Sequence, residues 1–248
     1  MGFMAGSRTG GRLRRTGTGI GPVLRLRRTW TPSRPDSLPA GDGVLVSDAV
    51  VGILFDMDGV LVQQRLDFPA IKREIFGDTS GFVLERMAEL PPAARARADL
   101  ILERHETAAA VEAEPMDGIL PFLQWMEARC LKRGLVTRNS RKSVDLVLAR
   151  LGLHFDAIVT REDGPPKPAP EPVWLGCRRM DLPPSEVLFV GDFEFDMLAG
   201  RRAGVRTVLL RGPGLRSSQH ADLVVDSLAE LRAWLENSGA ILSGGDTY

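Results

Sequence analysis

The stretch Val50-Val51-Gly52-Ile53-Leu54-Phe55-Asp56-Met57-Asp58-Gly59 decides the fold of this chain. It begins with an uninterrupted apolar run and then turns abruptly to charge, a pattern typical of a strand that is buried on both faces. Asp56 and Asp58 follow the strand and are separated by one residue. Side chains with this spacing point to the same side, so both carboxylates can converge above the end of the strand. The stretch therefore predicts a buried strand that delivers two carboxylates to the edge of a sheet.

Short apolar runs of the same kind recur along the chain, and helical patterns lie between them. The runs are Gly134-Leu135-Val136, Ala157-Ile158-Val159, Val187-Leu188-Phe189-Val190, Thr207-Val208-Leu209-Leu210 and Leu223-Val224-Val225. The helices are expected from Ser140 to Gly152, from Asp192 to Gly204, and from Asp226 or Ser227 through Trp234. Alternating strands and helices predict an α/β fold, with a doubly wound parallel sheet covered by helices on both faces.

One segment, residues 66–115, breaks this alternation because no strand pattern appears in it. Asp67 can cap a first short helix, Ser80 can start a second, and Pro91-Pro92 can open a third, which is rich in Ala, Arg and Glu. The segment follows directly after the first strand. We therefore expect a small helical insertion at this point of an otherwise regular α/β chain.

The charge of the chain is unevenly distributed. With 248 residues, 32 basic and 32 acidic, its formal net charge is zero. Residues 1–35 nevertheless contain arginines, threonines and serines but no Lys, Asp or Glu, so the remainder is acidic. This composition is typical of an organelle transit peptide, which predicts import into a mitochondrion or plastid and contact with the import machinery. The alternative is a disordered basic arm on a cytoplasmic protein.

Composition also excludes several classes of protein. The chain is 44% apolar and 26% charged, as ordinary globular proteins are, and it has no run of about 18 apolar residues that would predict a membrane-spanning helix. Its cysteines, Cys130 and Cys177, cannot build a disulfide framework or a zinc site. Acidic and basic residues are mixed on the third inserted helix, so neither a nucleic-acid partner nor a stable membrane association is expected.

The predicted organisation combines these observations. It consists of a basic arm (1–40), a core unit (41–65 with 116–237), a helical cap (66–115) and a loose polar tail (238–248).

Residues suited to phosphate chemistry stand at the ends of four successive strands, where sites form in parallel sheets. They are Asp56 and Asp58, then Thr137 and Arg138, then Lys167 in a Pro-rich loop, and finally Asp192 and Asp196. Carboxylates suit Mg²⁺, a helix N-terminus beside a hydroxyl suits a phosphate, and a lysine neutralises a phosphoryl group. A shielded phosphate can then be attacked by one aspartate while a second transfers protons.

These residues resemble the four ordered motifs of the haloacid dehalogenase-like (HAD) superfamily, in a stretch that runs from Val50 to Leu235. The resemblance implies a Rossmannoid core with a short C1-type helical cap. It also implies the residue roles. Asp56 would be the nucleophile and Asp58 the general acid and base; Thr137 and Lys167 would bind the phosphoryl group; and Mg²⁺ would be held by Asp56, the backbone of Asp58, Asp192 and Asp196. Arg138 is a further candidate for binding the phosphate, because it flanks Thr137.

Within the family that the chain resembles, the acid at position 58 separates two kinds of enzyme, because the haloacid dehalogenases proper lack it. Asp58 therefore favours a Mg²⁺-dependent phosphatase that acts on a small phosphorylated metabolite through an aspartyl-phosphate. A phosphomutase is one alternative, although it needs a cap that closes and excludes water. A non-catalytic HAD-fold binding protein is the other, although such a chain is expected to have lost at least one motif residue.

Overall fold

The structure is a computed structural model that describes residues 49–63, 65–212 and 219–241. The predicted basic arm, residues 1–40, lies outside the described residues, as does most of the predicted tail.

The described residues contain six strands in one sheet. They are β1 (Gly52–Phe55), β2 (Lys132–Val136), β3 (Ala157–Val159), β4 (Val187–Gly191), β5 (Arg206–Leu210) and β6 (Leu223–Val225). The order across the sheet is β3-β2-β1-β4-β5-β6, and every pair of neighbours is parallel. All four residues of β1 are buried, as expected for a central strand covered on both faces. The predicted fold class is confirmed.

Helices cover both faces of the sheet and form the insertion. They are α1 (Phe68–Phe76), α2 (Val83–Ala88), α3 (Pro92–Val111), α4 (Ile119–Glu127), α5 (Arg141–Leu151), α6 (Glu171–Arg179), α7 (Glu194–Ala203) and α8 (Leu228–Asn237). Side chains of α4, α5 and α8 pack in one buried cluster with one face of β1, and side chains of α6 and α7 pack in another with the opposite face. None of the helices in the described ranges is long and apolar enough to cross a membrane.

Helix ends follow the local chemistry of the chain. The hydroxyl of Ser140 accepts the N–H of Ser143 and so caps α5, and Gly152 ends that helix in the left-handed conformation. The sequence left two candidates for the start of α8, and the structure selects Ser227, whose side chain accepts the N–H of Glu230. Helix α7 begins at Glu194 rather than at the predicted Asp192.

The insertion has a small apolar core of its own, built from residues such as Ile71, Met87 and Leu102. One prediction within it is wrong, since Ser80 does not start a helix. The side chain of Asp78 accepts both the N–H and the hydroxyl of Ser80, at 2.8 and 2.7 Å, and this local turn competes with the helix. Helix α2 therefore begins only at Val83.

The predicted loose tail is also corrected where the structure describes it. Ala240 is buried, and its carbonyl accepts the N–H of Val50 at 2.5 Å. The backbone leading into β1 is thus paired with the start of the tail. Polar composition alone could not predict this contact, because it joins two distant parts of the chain.

The central strand provides a test of the fold. Leu54 of β1 is fully buried and its side chain packs against α6, so Leu54→Ala should lower the free energy of unfolding by about 2–5 kcal/mol in urea denaturation. Leu146→Ala is the matched control, because Leu146 is exposed on α5 and the same truncation there should change stability by less than about 1 kcal/mol. Equal losses in the two variants would contradict the assignment of β1 as the buried centre.

Candidate active site

A cavity of about 520 Å³ lies at the carboxyl ends of the central strands, between the sheet and the inserted helices. Its lining includes every residue that the sequence predicted for the site: Asp56, Asp58, Thr137, Arg138, Lys167, Asp192 and Asp196. The structure therefore brings these seven side chains to one place. Their individual roles stay predictions, since proximity alone does not assign them.

Lys167 is almost completely enclosed, with only 2% of its surface exposed. Its ammonium group lies 2.7 Å from Asp56 Oδ1 and 2.6 Å from Asp196 Oδ1, and it donates to the carbonyl of Val136 at 2.9 Å. An ammonium group has three hydrogens, so these contacts use all of them. The lysine thus ties the ends of β1 and β2 to the first turn of α7.

Burial has the largest effect on the pKa values of both Asp56 and Lys167. Burial raises the pKa of Asp56 well above its ordinary value, against the lowering effect of Lys167, and the carboxylates of Asp196 and Asp192 raise it further. Burial also lowers the pKa of Lys167, but the carboxylates of Asp196 and Asp56 outweigh it, so the pKa is raised. Lys167 therefore stays charged and supplies the cluster with a fixed cation.

The cluster has the donor set of a divalent-metal site. One carboxylate oxygen from each of Asp56, Asp192 and Asp196 lies within 4.8 Å of the others. Hard oxygen ligands of this kind suit Mg²⁺. When ionised, three carboxylates and one ammonium group leave two negative charges in a buried position, and a divalent cation would balance them. The residues therefore fit a magnesium ion.

Asp58 is held by a neighbour that the sequence analysis did not assign to the site. Asn139 Nδ2 donates to Asp58 Oδ2 at 2.5 Å, which fixes the orientation of the carboxyl group. Burial raises the pKa of Asp58 to about 6, although the hydrogen bond from Asn139 lowers it. Asp58 is therefore able both to give and to take a proton near neutral pH. The position of Asn139, close after Thr137, was the signal available in the sequence.

The segment between β2 and α5 lines the cavity through Thr137, Arg138 and Asn139. The buried Thr137 hydroxyl accepts the N–H of Asn139 at 3.2 Å. Glu106 reaches down from α3 to accept the N–H of Ser140, also at 3.2 Å, and forms an ion pair with Arg161. Glu106 is only 2% exposed, so this contact anchors the inserted helices to the sheet. On the sequence, Glu106 resembles any other acid of a polar helix.

Arg138 lines the cavity, but its guanidinium is engaged on the side of the insertion. It pairs with Glu85 of α2 at 2.8 Å and lies over the ring of Phe195, 4.9 Å from the centroid. In this arrangement the guanidinium of Arg138 binds Glu85, so its predicted contact with a phosphate stays a prediction.

Gly59 shapes the metal-binding side of the site. Its φ is +79°, a conformation that side chains rarely adopt. A Cβ atom placed there would also overlap the carboxylate of Asp192. Glycine is thus required both by the turn after β1 and by the close approach of Asp192.

Comparisons with known proteins identify relatives of this chain. A sequence model described as haloacid dehalogenase-like hydrolase matches residues 73–210. A haloacid dehalogenase-like hydrolase domain-containing protein of Arabidopsis thaliana is 31% identical over 206 residues, which cover 75% of this chain and 84% of the relative. An N-acetylmuramic acid 6-phosphate phosphatase of Pseudomonas putida is 31% identical over 214 residues, covering 75% of this chain and 96% of the relative.

Among solved structures, the crystal structure of CbbY from Rhodobacter sphaeroides in complex with phosphate superposes with a TM-score of 0.61. It is 25% identical, and the match covers 73% of this chain and 96% of that chain. The sheet and its flanking helices are therefore shared with an experimentally determined phosphate complex.

The close approach at Gly59 generates a prediction. Gly59→Ala should displace the Asp192 carboxylate and weaken Mg²⁺ binding by at least about tenfold, since the added methyl group occupies the position of a carboxylate oxygen. Isothermal titration calorimetry with Mg²⁺ measures this effect.

Gly77→Ala is the matched control. Gly77 has almost the same φ, +81°, but a Cβ atom there meets nothing within 4 Å. It should therefore show similar backbone strain and unchanged Mg²⁺ affinity. If the two variants bind Mg²⁺ equally well, Asp192 does not depend on Gly59 in the way described.

Proposed function

Since this chain belongs to the haloacid dehalogenase-like hydrolases, we propose that it is a Mg²⁺-dependent phosphatase that hydrolyses a small organic phosphomonoester through an aspartyl-phosphate on Asp56. The observation that carries the proposal is the buried cluster of Asp56, Asp192, Asp196 and Lys167, with Asp58 on the same cavity. Named phosphatases among the relatives support the reaction class.

The metal would be held by the side chains of Asp56, Asp192 and Asp196, whose oxygens already converge. When bound, Mg²⁺ supplies positive charge to the oxygens of the phosphoryl group. Lys167 adds a fixed charge beside it, and the hydroxyl of Thr137 lies at the N-terminus of α5, where anions are favoured.

Two displacements at phosphorus would complete the reaction. In the first, a carboxylate oxygen of Asp56 attacks phosphorus, the bond to the alcohol oxygen breaks, and Asp58 protonates that oxygen. In the second, Asp58 takes a proton from water, the water oxygen attacks the same phosphorus, and inorganic phosphate leaves Asp56. Lys167 holds Asp56 in position and Asn139 holds Asp58, so neither carboxylate needs to reorient between the steps.

Substitution of the two carboxylates tests this mechanism. Asp56→Asn should abolish phosphate release from a panel of phosphorylated metabolites with Mg²⁺, because the amide is not a nucleophile. Asp58→Asn should slow release by about 10²- to 10⁴-fold through loss of proton transfer. A colorimetric assay of inorganic phosphate measures both effects.

Asp145→Asn is the control and should keep full activity, because Asp145 is exposed on α5, pairs with Arg141 and does not line the cavity. Turnover that survives Asp56→Asn would rule out the covalent route. Formation of an isomeric phosphate ester in place of inorganic phosphate would instead identify a phosphomutase.

The N-terminal arm carries a separate proposal about location. Residues 1–35 combine arginines with Thr and Ser and lack acids, which supports delivery to a mitochondrion or plastid. A fluorescent protein fused to residues 1–40 should enter the organelle, and the same fusion with its arginines changed to glutamine should stay cytosolic. Cytosolic signal from the unaltered fusion would contradict the proposal.

A further inference from the structure

We propose that the preferred substrate is a phosphomonoester whose organic part is a flat apolar ring that stacks on Phe82, Phe193 and Phe195. This inference deepens the proposed phosphatase function and rests on it.

Exposed aromatic side chains are the first observation. Among the described residues, three phenylalanines are exposed to solvent: Phe68 (40%), Phe82 (49%) and Phe193 (38%). All three line the cavity above the carboxylate cluster. Exposed aromatic surface is unfavourable in water unless a partner covers it. Trp174 on α6 is also exposed and lies away from this cavity, but three exposed phenylalanine rings around one cavity point to a ligand that covers them.

The geometry of the rings is the second observation. Phe82 precedes α2 in the insertion, whereas Phe193 and Phe195 stand at the start of α7. Their centroids lie 4.7 Å apart for Phe82 and Phe195, 5.1 Å for Phe193 and Phe195, and 6.2 Å for Phe82 and Phe193, all with steep angles between the ring planes. Edge-to-face packing of this kind is favourable and can extend to one more ring. Phe82 of the insertion thus packs with Phe193 and Phe195 at the start of α7, and the three rings form one aromatic wall of the cavity.

Polar groups that could bind the hydroxyls of a sugar are scarce on the inserted side of the cavity. Its apolar side chains there are Leu66, Phe68, Phe82, Val83, Leu84 and Leu102. Both carboxylate oxygens of Glu106 are already engaged, by Arg161 and by the N–H of Ser140.

The two cations on this side of the cavity, Arg138 and Lys72, offer few further partners for hydroxyl groups. Arg138 is paired with Glu85. Lys72 donates to the carbonyl of Gly81 at 3.2 Å and has no carboxylate partner among the described residues, so it can serve one polar substituent. A polyhydroxylated substrate would leave most of its hydroxyls without partners, and unpaired buried hydroxyls weaken binding.

Three esters of primary alcohols test the proposal, because their leaving groups are similar in reactivity and differ in shape and polarity. They are benzyl phosphate, cyclohexylmethyl phosphate and glucose 6-phosphate. With Mg²⁺ and the full chain, kcat/KM should be highest for benzyl phosphate and at least about tenfold lower for glucose 6-phosphate. A preference for glucose 6-phosphate, or equal values for the three esters, would overturn the proposal.

Phe82→Leu isolates the contribution of the ring, since leucine keeps the apolar character but not the flat face. It should lower kcat/KM for benzyl phosphate by roughly 2- to 10-fold and leave glucose 6-phosphate nearly unchanged. Phe82→Tyr should retain the wild-type preference. Leu100→Ala is the control, because Leu100 is exposed on α3 and does not line the cavity. An equal loss for all three esters in Phe82→Leu would mean that Phe82 has only a structural role.

A binding measurement separates this inference from the proposed function. Asp56→Asn loaded with Mg²⁺ should bind benzyl phosphate more tightly than glucose 6-phosphate in calorimetry, and Phe82→Leu in the same background should remove that difference. Tighter binding of glucose 6-phosphate would overturn the inference. Hydrolysis of glucose 6-phosphate alone, dependent on Asp56, would overturn the inference and leave the phosphatase function standing. No hydrolysis of any ester would overturn the function, and the inference with it.

Discussion

A single buried ammonium group holds the active site together. Lys167 contacts Asp56 at the end of β1, the carbonyl of Val136 at the end of β2, and Asp196 in α7, so one side chain fixes three elements of the core. Removing one member of such a buried pair leaves an uncompensated charge and costs about 3–5 kcal/mol. The same arrangement gathers three carboxylates, whose excess negative charge a divalent cation would balance. Stability and chemistry therefore depend on the same contacts.

Much of this arrangement could be predicted from the sequence, because it depends on local patterns. The apolar run before Asp56 predicted β1, and the alternation of strands and helices predicted a parallel sheet. A parallel sheet brings its carboxyl ends to one edge, so Thr137, Lys167 and Asp192 could be expected near Asp56 without any knowledge of distances. The start of α5 at Ser140 and its end at Gly152 followed from capping chemistry alone.

The features that the sequence did not predict depend on contacts between distant residues. The pairing of Glu106 with Arg161 and the meeting of Phe82 with Phe195 arise only when the insertion packs on the sheet. The pattern at Ser80 predicts a helix start, but its turn with Asp78 competes with the helix, and the two patterns look alike in sequence. Glu106, Phe82 and Phe195 line the cavity, so part of its wall depends on how the insertion packs on the core.

The covalent mechanism requires Asp56 to carry the phosphoryl group during turnover, so trapping the phosphorylated aspartate is its sharpest test. The Asp58→Asn variant, mixed with an accepted ester and Mg²⁺, quenched in acid and digested with pepsin, should yield a peptide containing Asp56 that carries one phosphoryl group by mass spectrometry. The label should be found on Asp56 and should disappear when Asp56→Asn is added. A substrate turned over with no phosphorylated peptide at any time, or with the label on another residue, would contradict it.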